Sequence, residues 1–95
     1  MSSPTQKLSD DVRSDTALLT ALKGRREDLI ALRMYIREEL CSLEPRTPEY
    51  EVAMQKWALY DADYDSTVDY IRDTEKKLKR NRALLEDGVH NPRGF

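Results

Sequence analysis

The stretch "SLEPRTPEYE", residues 42–51, holds two of the chain's four prolines within a span of four residues. Proline disfavours helical geometry in the residue before it and lacks the N–H that a helix interior needs. Pro45 therefore predicts a helix end near Leu43 or Glu44. Thr47-Pro48 predicts a start, because it sets a capping hydroxyl directly before a proline at the first helical position. A stop and a start separated by about three or four residues fold the second helix back along the first. The fold expected is all-α, an antiparallel two-helix hairpin of coiled-coil type, completed by oligomerisation or by a partner helix.

Outward from the turn, Ser3-Pro4-Thr5-Gln6 repeats the same capping device, and Gln6 is placed to complete a capping box. Ser9 is a rival start, and Asp10 and Asp11 put negative charge near the positive end of the helix. In "LLEDGVHNP", Gly88 suits a left-handed C-cap and Pro92 opposes resumption. The expected organisation is a cap region at 1–3, a first helix at about 4–44, a turn at about 45–47, a second helix at about 48–87 and a tail at 88–95.

Spacing of the apolar residues supports the hairpin. Steps of four and three from Leu8 reach Val12, Asp15, Leu19, Leu22, Arg26, Leu29, Arg33, Ile36, Leu40 and Leu43, apolar at eight of eleven positions. The same steps from Tyr50 reach Met54, Trp57, Asp61, Tyr64, Val68, Ile71, Glu75, Leu78, Arg82 and Leu85, again eight of eleven. At 39% hydrophobic content, random placement would give about four in each. Charged seam residues then choose the register, since like charges buried face to face are costly. The favoured alignment sets Leu40 against Trp57, Leu29 against Val68, Leu19 against Leu78 and Asp15 against Arg82, with Arg33 reaching Asp61 diagonally. Gly24 is a weak point, about 1 kcal/mol worse than alanine in a helix.

Composition limits the function. Ninety-five residues make one small domain near the lower limit of self-sufficient stability, which favours assembly. Charged residues reach 36% and mean hydropathy is −0.77, yet the apolar residues are too regular for a disordered chain. A net charge of −2 supplies no bulk attraction to nucleic acid or anionic lipid. No apolar run approaches the roughly 18 residues of a membrane span, and "MSSPTQKLSDD" lacks the apolar stretch of a signal peptide. The expected location is cytoplasmic, or inside a virion or other assembly. The lone Cys41 is expected as a buried or half-buried reduced thiol.

Beside the seam, one flank is largely uncharged. It carries Leu18, Ala21, Leu32 and Tyr35 on the first helix and Ala53, Tyr60, Thr67, Tyr70 and Leu84 on the second. The opposite flank carries Lys23, Arg37, Asp65, Asp69, Arg72, Lys76 and Lys79, interrupted by Ile30 and Met34. A lone hairpin buries only one seam, so the aromatic flank is the candidate docking surface for another copy or another protein.

Other motifs carry less. The basic run "KKLKRNR", residues 76–82, distributes its cations around the helix and meets Asp10, Asp11 and Asp15, which argues against a phosphate-binding stripe. "DADYDSTVDYIR", residues 61–72, approaches a calcium loop, but Ser66 replaces the turn glycine and Arg72 the closing glutamate. No glycine-rich phosphate loop, metal spacing or catalytic triad is present, and the only histidine is His90. Catalysis, cofactor, metal and small-molecule substrate are therefore not expected. The tail "GVHNPRGF" is read as disordered, with a short docking segment as the alternative.

"KWALYDADYDSTVDYIRD", following the "PRTP" turn, resembles the second helix of type III secretion needle subunits, small helical hairpins with a similar P-x-x-P turn that assemble into filaments. The likeness spans about a quarter of the chain. Here the interval from turn to tryptophan is about one helical turn shorter, the charge content is higher, and "EKKLKRNRALLEDGVHNPRGF" runs past where those subunits end. The resemblance serves as one concrete form of the expected role, a structural or adaptor subunit of a protein assembly. A small helical chaperone or regulator is the alternative, and a nucleic-acid accessory protein a distant one.

Overall fold

The computed structural model describes residues 3–90, with side chains through residue 87. Two helices, α1 (Pro4–Ser42) and α2 (Pro48–His90), pack against each other as a helical hairpin, and no strand occurs among the described residues. At the start of α1 the Gln6 N–H donates to Ser3 Oγ at 3.1 Å and the Lys7 N–H to the Ser3 carbonyl at 3.0 Å, so Ser3 is the cap. The expected capping box is half formed, because the Gln6 side chain reaches forward to Asp10 Oδ1 at 3.0 Å instead of back to Ser3.

α1 stops at Ser42, two residues before the expected limit of 44. The Leu43 N–H reaches only the Leu40 carbonyl, at 3.4 Å, a tightening of the last turn. Pro45 is followed by Arg46 with φ of 73°, the positive φ that a type II turn needs at its third residue. Thr47 then ties the turn to the next helix. Its hydroxyl donates to the Glu44 carbonyl at 2.8 Å and accepts the Tyr50 N–H at 3.2 Å. α2 runs on to His90 and does not stop at Gly88. A glycine inside a helix costs about 1 kcal/mol without terminating it. The remainder of the tail, 91–95, lies outside the described residues.

On α1 the expected stripe holds throughout: all eleven positions from Leu8 to Leu43 are buried or half-buried, with Leu29 and Ile36 each 3% exposed. On α2 eight of the eleven positions hold. Tyr50, Trp57, Asp61, Tyr64, Val68, Ile71, Leu78 and Leu85 are buried or half-buried, whereas Met54, Glu75 and Arg82 are exposed. The places of these three are taken by the residue one step earlier, Ala53, Thr74 and Asn81, all buried, and the same step brings half-buried Tyr60 and buried Thr67 in beside Asp61 and Val68. Ala53, Tyr60 and Thr67, assigned above to the docking flank, therefore belong to the seam.

The physical reason lies in desolvation. Burying Glu75 or Arg82 would strip water from a charge, whereas a buried threonine is satisfied within its own helix. The Thr67 hydroxyl donates to the Asp63 carbonyl at 2.7 Å, and that of Thr74 to the Tyr70 carbonyl at 2.8 Å. With the hydroxyl satisfied, the methyl group packs as an apolar one.

Contacts divide the chain into two compact units, Met1–Leu22 with Tyr70–Phe95, and Lys23–Asp69. In the first, Ile71 and Leu78 form the core, and burying a leucine such as Leu78 contributes about 1.5–3 kcal/mol. Here the expected Asp15–Arg82 pair is replaced. Lys77 Nζ sits 3.3 Å from Asp15 Oδ2, an ion contact outside directional hydrogen-bond geometry, and Arg82 donates to Thr16 Oγ1 at 3.2 Å. Asp15 thus meets Lys77 in place of Arg82, while Arg82 bonds the next residue of α1, Thr16. In the second unit, which contains the turn, Leu29, Ile36 and Ala53 form the core, and Arg25 pairs with Asp63.

Candidate functional site

Within the turn unit, α1 presents Arg33 to one face of α2. Its guanidinium carbon lies 4.6 Å from the Tyr64 ring centroid and 5.3 Å from that of Trp57, while Nη2 forms an ion pair with Asp61 Oδ1 at 2.9 Å. Trp57, Asp61 and Tyr64 are brought together by four-and-three spacing on α2. The diagonal Arg33–Asp61 pair is the one expected from the sequence. The aromatic contacts go beyond that expectation, in which Trp57 and Tyr64 count only as apolar seam residues. The spacing Trp-x3-Asp-x2-Tyr opposite a seam arginine puts both rings near the cation but does not say which of their faces it meets. The arrangement fixes a cation between rings and a carboxylate, which makes it a positioning device for the hairpin.

The docking flank is best followed unit by unit. In the terminal unit Leu18, Ala21, Tyr70 and Leu84 are exposed, Tyr70 at 55% and Leu84 at 52%. Leu18 and Tyr70 line a groove of about 210 Å³ together with Asp15, Asp73, Thr74 and Lys77. In the turn unit Leu32 and Tyr35 are exposed and border one surface depression with Asp28 and Ala31. Of the residues expected on this flank, Ala53 is 1% exposed and closed to any partner, and Tyr60 is half-buried. Leu40 and Trp57 are half-buried at the seam, as seam residues should be.

Two further apolar residues lie outside the flank expected from the sequence. Leu59 is 70% exposed and Val52 51%, and their spacing of seven puts them on one face of α2. The apolar stepping hides them because it places the flank beside the wrong half of the α2 seam. On the other side, Met34, Arg37, Glu38 and Cys41 line a second depression. Cys41 is exposed, not buried or half-buried as expected.

The remaining motifs fall within α2. Residues 61–72 are continuous helix, with Asp61 held by Arg33 and Asp63 by Arg25. In the basic run, Lys77 meets Asp15, Arg82 meets Thr16, and Leu78 and Asn81 are buried. Among the described residues, no helix is long and apolar enough to cross a membrane. No protein-family model matches the chain, and no curated protein or solved structure matches it.

Proposed function

We propose that this chain is a non-enzymatic structural or adaptor subunit of a larger protein assembly, such as a virion or secretion-type particle, and that it works by docking a further helix onto its uncharged flank. One observation carries the reading. Among the described residues, nine large apolar side chains are exposed, Leu18, Leu32, Met34, Tyr35, Val52, Met54, Leu59, Tyr70 and Leu84, against five buried apolar residues. Five of the nine, Leu18, Leu32, Tyr35, Tyr70 and Leu84, lie on the expected flank, and charged residues such as Asp28, Asp73 and Lys77 border them, which suits a helix-on-helix contact with a polar rim. Such a subunit would work in the cytoplasm or within its particle.

The discriminating measurement is the mass of the native species. Sedimentation of the protein from its own source at many times 11.1 kDa, with Tyr70→Glu or Leu59→Glu reducing that mass, supports a subunit. A constant one-to-one pairing with a single heterologous protein supports the chaperone alternative instead. A free monomer in its own source would overturn both.

A further inference from the structure

We infer that the helix docked by this chain is α1 of a second copy, lying antiparallel about a twofold axis that passes between Arg25 and Asp28. The inference rests on the docking role proposed above and identifies its partner. α1 is one continuous helix from Pro4 to Ser42, and beside its seam it carries a second stripe with the same three-and-four spacing: Leu18, Ala21, Arg25, Asp28, Leu32 and Tyr35. All six are exposed. Adjacent three-and-four stripes on one helix are what a helix needs to pack against two neighbours.

This second stripe is complementary to its own reverse. Laid antiparallel on a second copy, Leu18 meets Tyr35, Ala21 meets Leu32, and Arg25 meets Asp28. Symmetry repeats each contact, so the axis is flanked by two opposite-charge pairs with apolar pairs beyond them. Farther out, Ser14 meets Glu39 and Asp11 meets Ser42, a hydroxyl against a carboxylate in each case. No step sets like charges together.

Other arrangements fail. A parallel twofold pairing sets Arg25 on Arg25 and Asp28 on Asp28. Sliding one copy by a heptad in either direction sets Asp28 against Leu18 or against Leu32. The charges thus specify direction and register, while the leucines and tyrosine supply burial. Arg25 already holds Asp63 within its own chain, and the five N–H donors of a guanidinium leave room for a second carboxylate. Asp28 has no ion pair of its own among the described residues.

The test is sedimentation of the full chain, with Cys41 kept reduced, for the wild type, Asp28→Arg, Arg25→Glu and an equimolar mixture of the two variants. Asp28→Arg leaves the Arg25–Asp63 pair intact, and far-UV circular dichroism checks that each variant keeps its helicity. The wild type should be a dimer, and each variant alone should dissociate with Kd raised about tenfold or more, as like charges now meet twice across the axis. The mixture should recover wild-type association, because at both crossings an arginine of the Asp28→Arg chain then faces a carboxylate of the Arg25→Glu chain. Leu32→Glu, which leaves both charges in place, should give a helical monomer. If the variants dimerise as tightly as the wild type, the axis lies elsewhere and this inference falls while the docking role stands. A wild type that stays monomeric at every concentration also overturns the inference, and the docking role is then decided by the native mass alone.

Discussion

The guanidinium of Arg33 lies over the ring of Tyr64, with its carbon 4.6 Å from the centroid, while the same side chain forms an ion pair with Asp61 at 2.9 Å. Arg33 is only 26% exposed and its buried Nε has no partner, so the ring faces and the carboxylate carry the compensation for its lost hydration. A planar, weakly hydrated cation can do this, and a lysine ammonium cannot.

Arg33→Lys should therefore destabilise the hairpin by about 1 kcal/mol and Arg33→Ala by about 2 kcal/mol. Urea denaturation at one fixed protein concentration measures both. Equal effects of the two substitutions would show that charge alone matters and that the rings do not.

The seam assignment on α2 separates neighbouring residues. Thr67→Leu should overpack the buried side and cost about 1–3 kcal/mol. Glu75→Leu, at a position the apolar stepping places inside, should change stability by only about 0.5 kcal/mol or less. The reverse order in thermal melts would restore the original stripe.

Register in the terminal unit is decided by a pair of double-mutant cycles. Asp15 with Lys77 should couple by about 0.5–1 kcal/mol, since Asp15 is 13% exposed and Lys77 50%. Asp15 with Arg82 should couple by less than about 0.3 kcal/mol. A dominant Asp15–Arg82 term would reinstate the alignment favoured by the sequence.

Two backbone positions offer gains. Arg46 sits at a φ of 73°, where a Cβ is crowded, so Arg46→Gly should stabilise by about 0.5–1 kcal/mol despite the added freedom of the unfolded chain. Gly24 is helical with nothing within 4 Å of an added Cβ, and Gly24→Ala should stabilise by about 1 kcal/mol. Melting temperatures lowered by either change would contradict these backbone assignments.

The hairpin is legible in the sequence because punctuation and periodicity agree. Pro45, Thr47 and Pro48 mark the reversal, and the α1 stripe holds at all eleven positions. The α2 stripe holds at eight of its eleven positions, and the buried row beside it is missed because Thr67, Thr74 and Asn81 score as polar, although a threonine bonded to its own helix buries a methyl group at little cost. That misplacement hides Val52 and Leu59. The Arg33–Asp61 pair is legible as a charge match, whereas its aromatic setting requires knowing which face of Trp57 and Tyr64 turns toward α1.

The Thr47 hydroxyl, bonded to both Glu44 and Tyr50, also has a kinetic meaning. Forming the reversal closes only a few residues of chain, whereas joining Asp15 to Lys77 first would close a loop of about sixty. Folding should therefore nucleate at this bend and zip toward the termini, with Ile36 engaged by the barrier crossing and Leu78 engaged after it. Substitutions near the bend would then slow folding, and those near the ends would hasten unfolding.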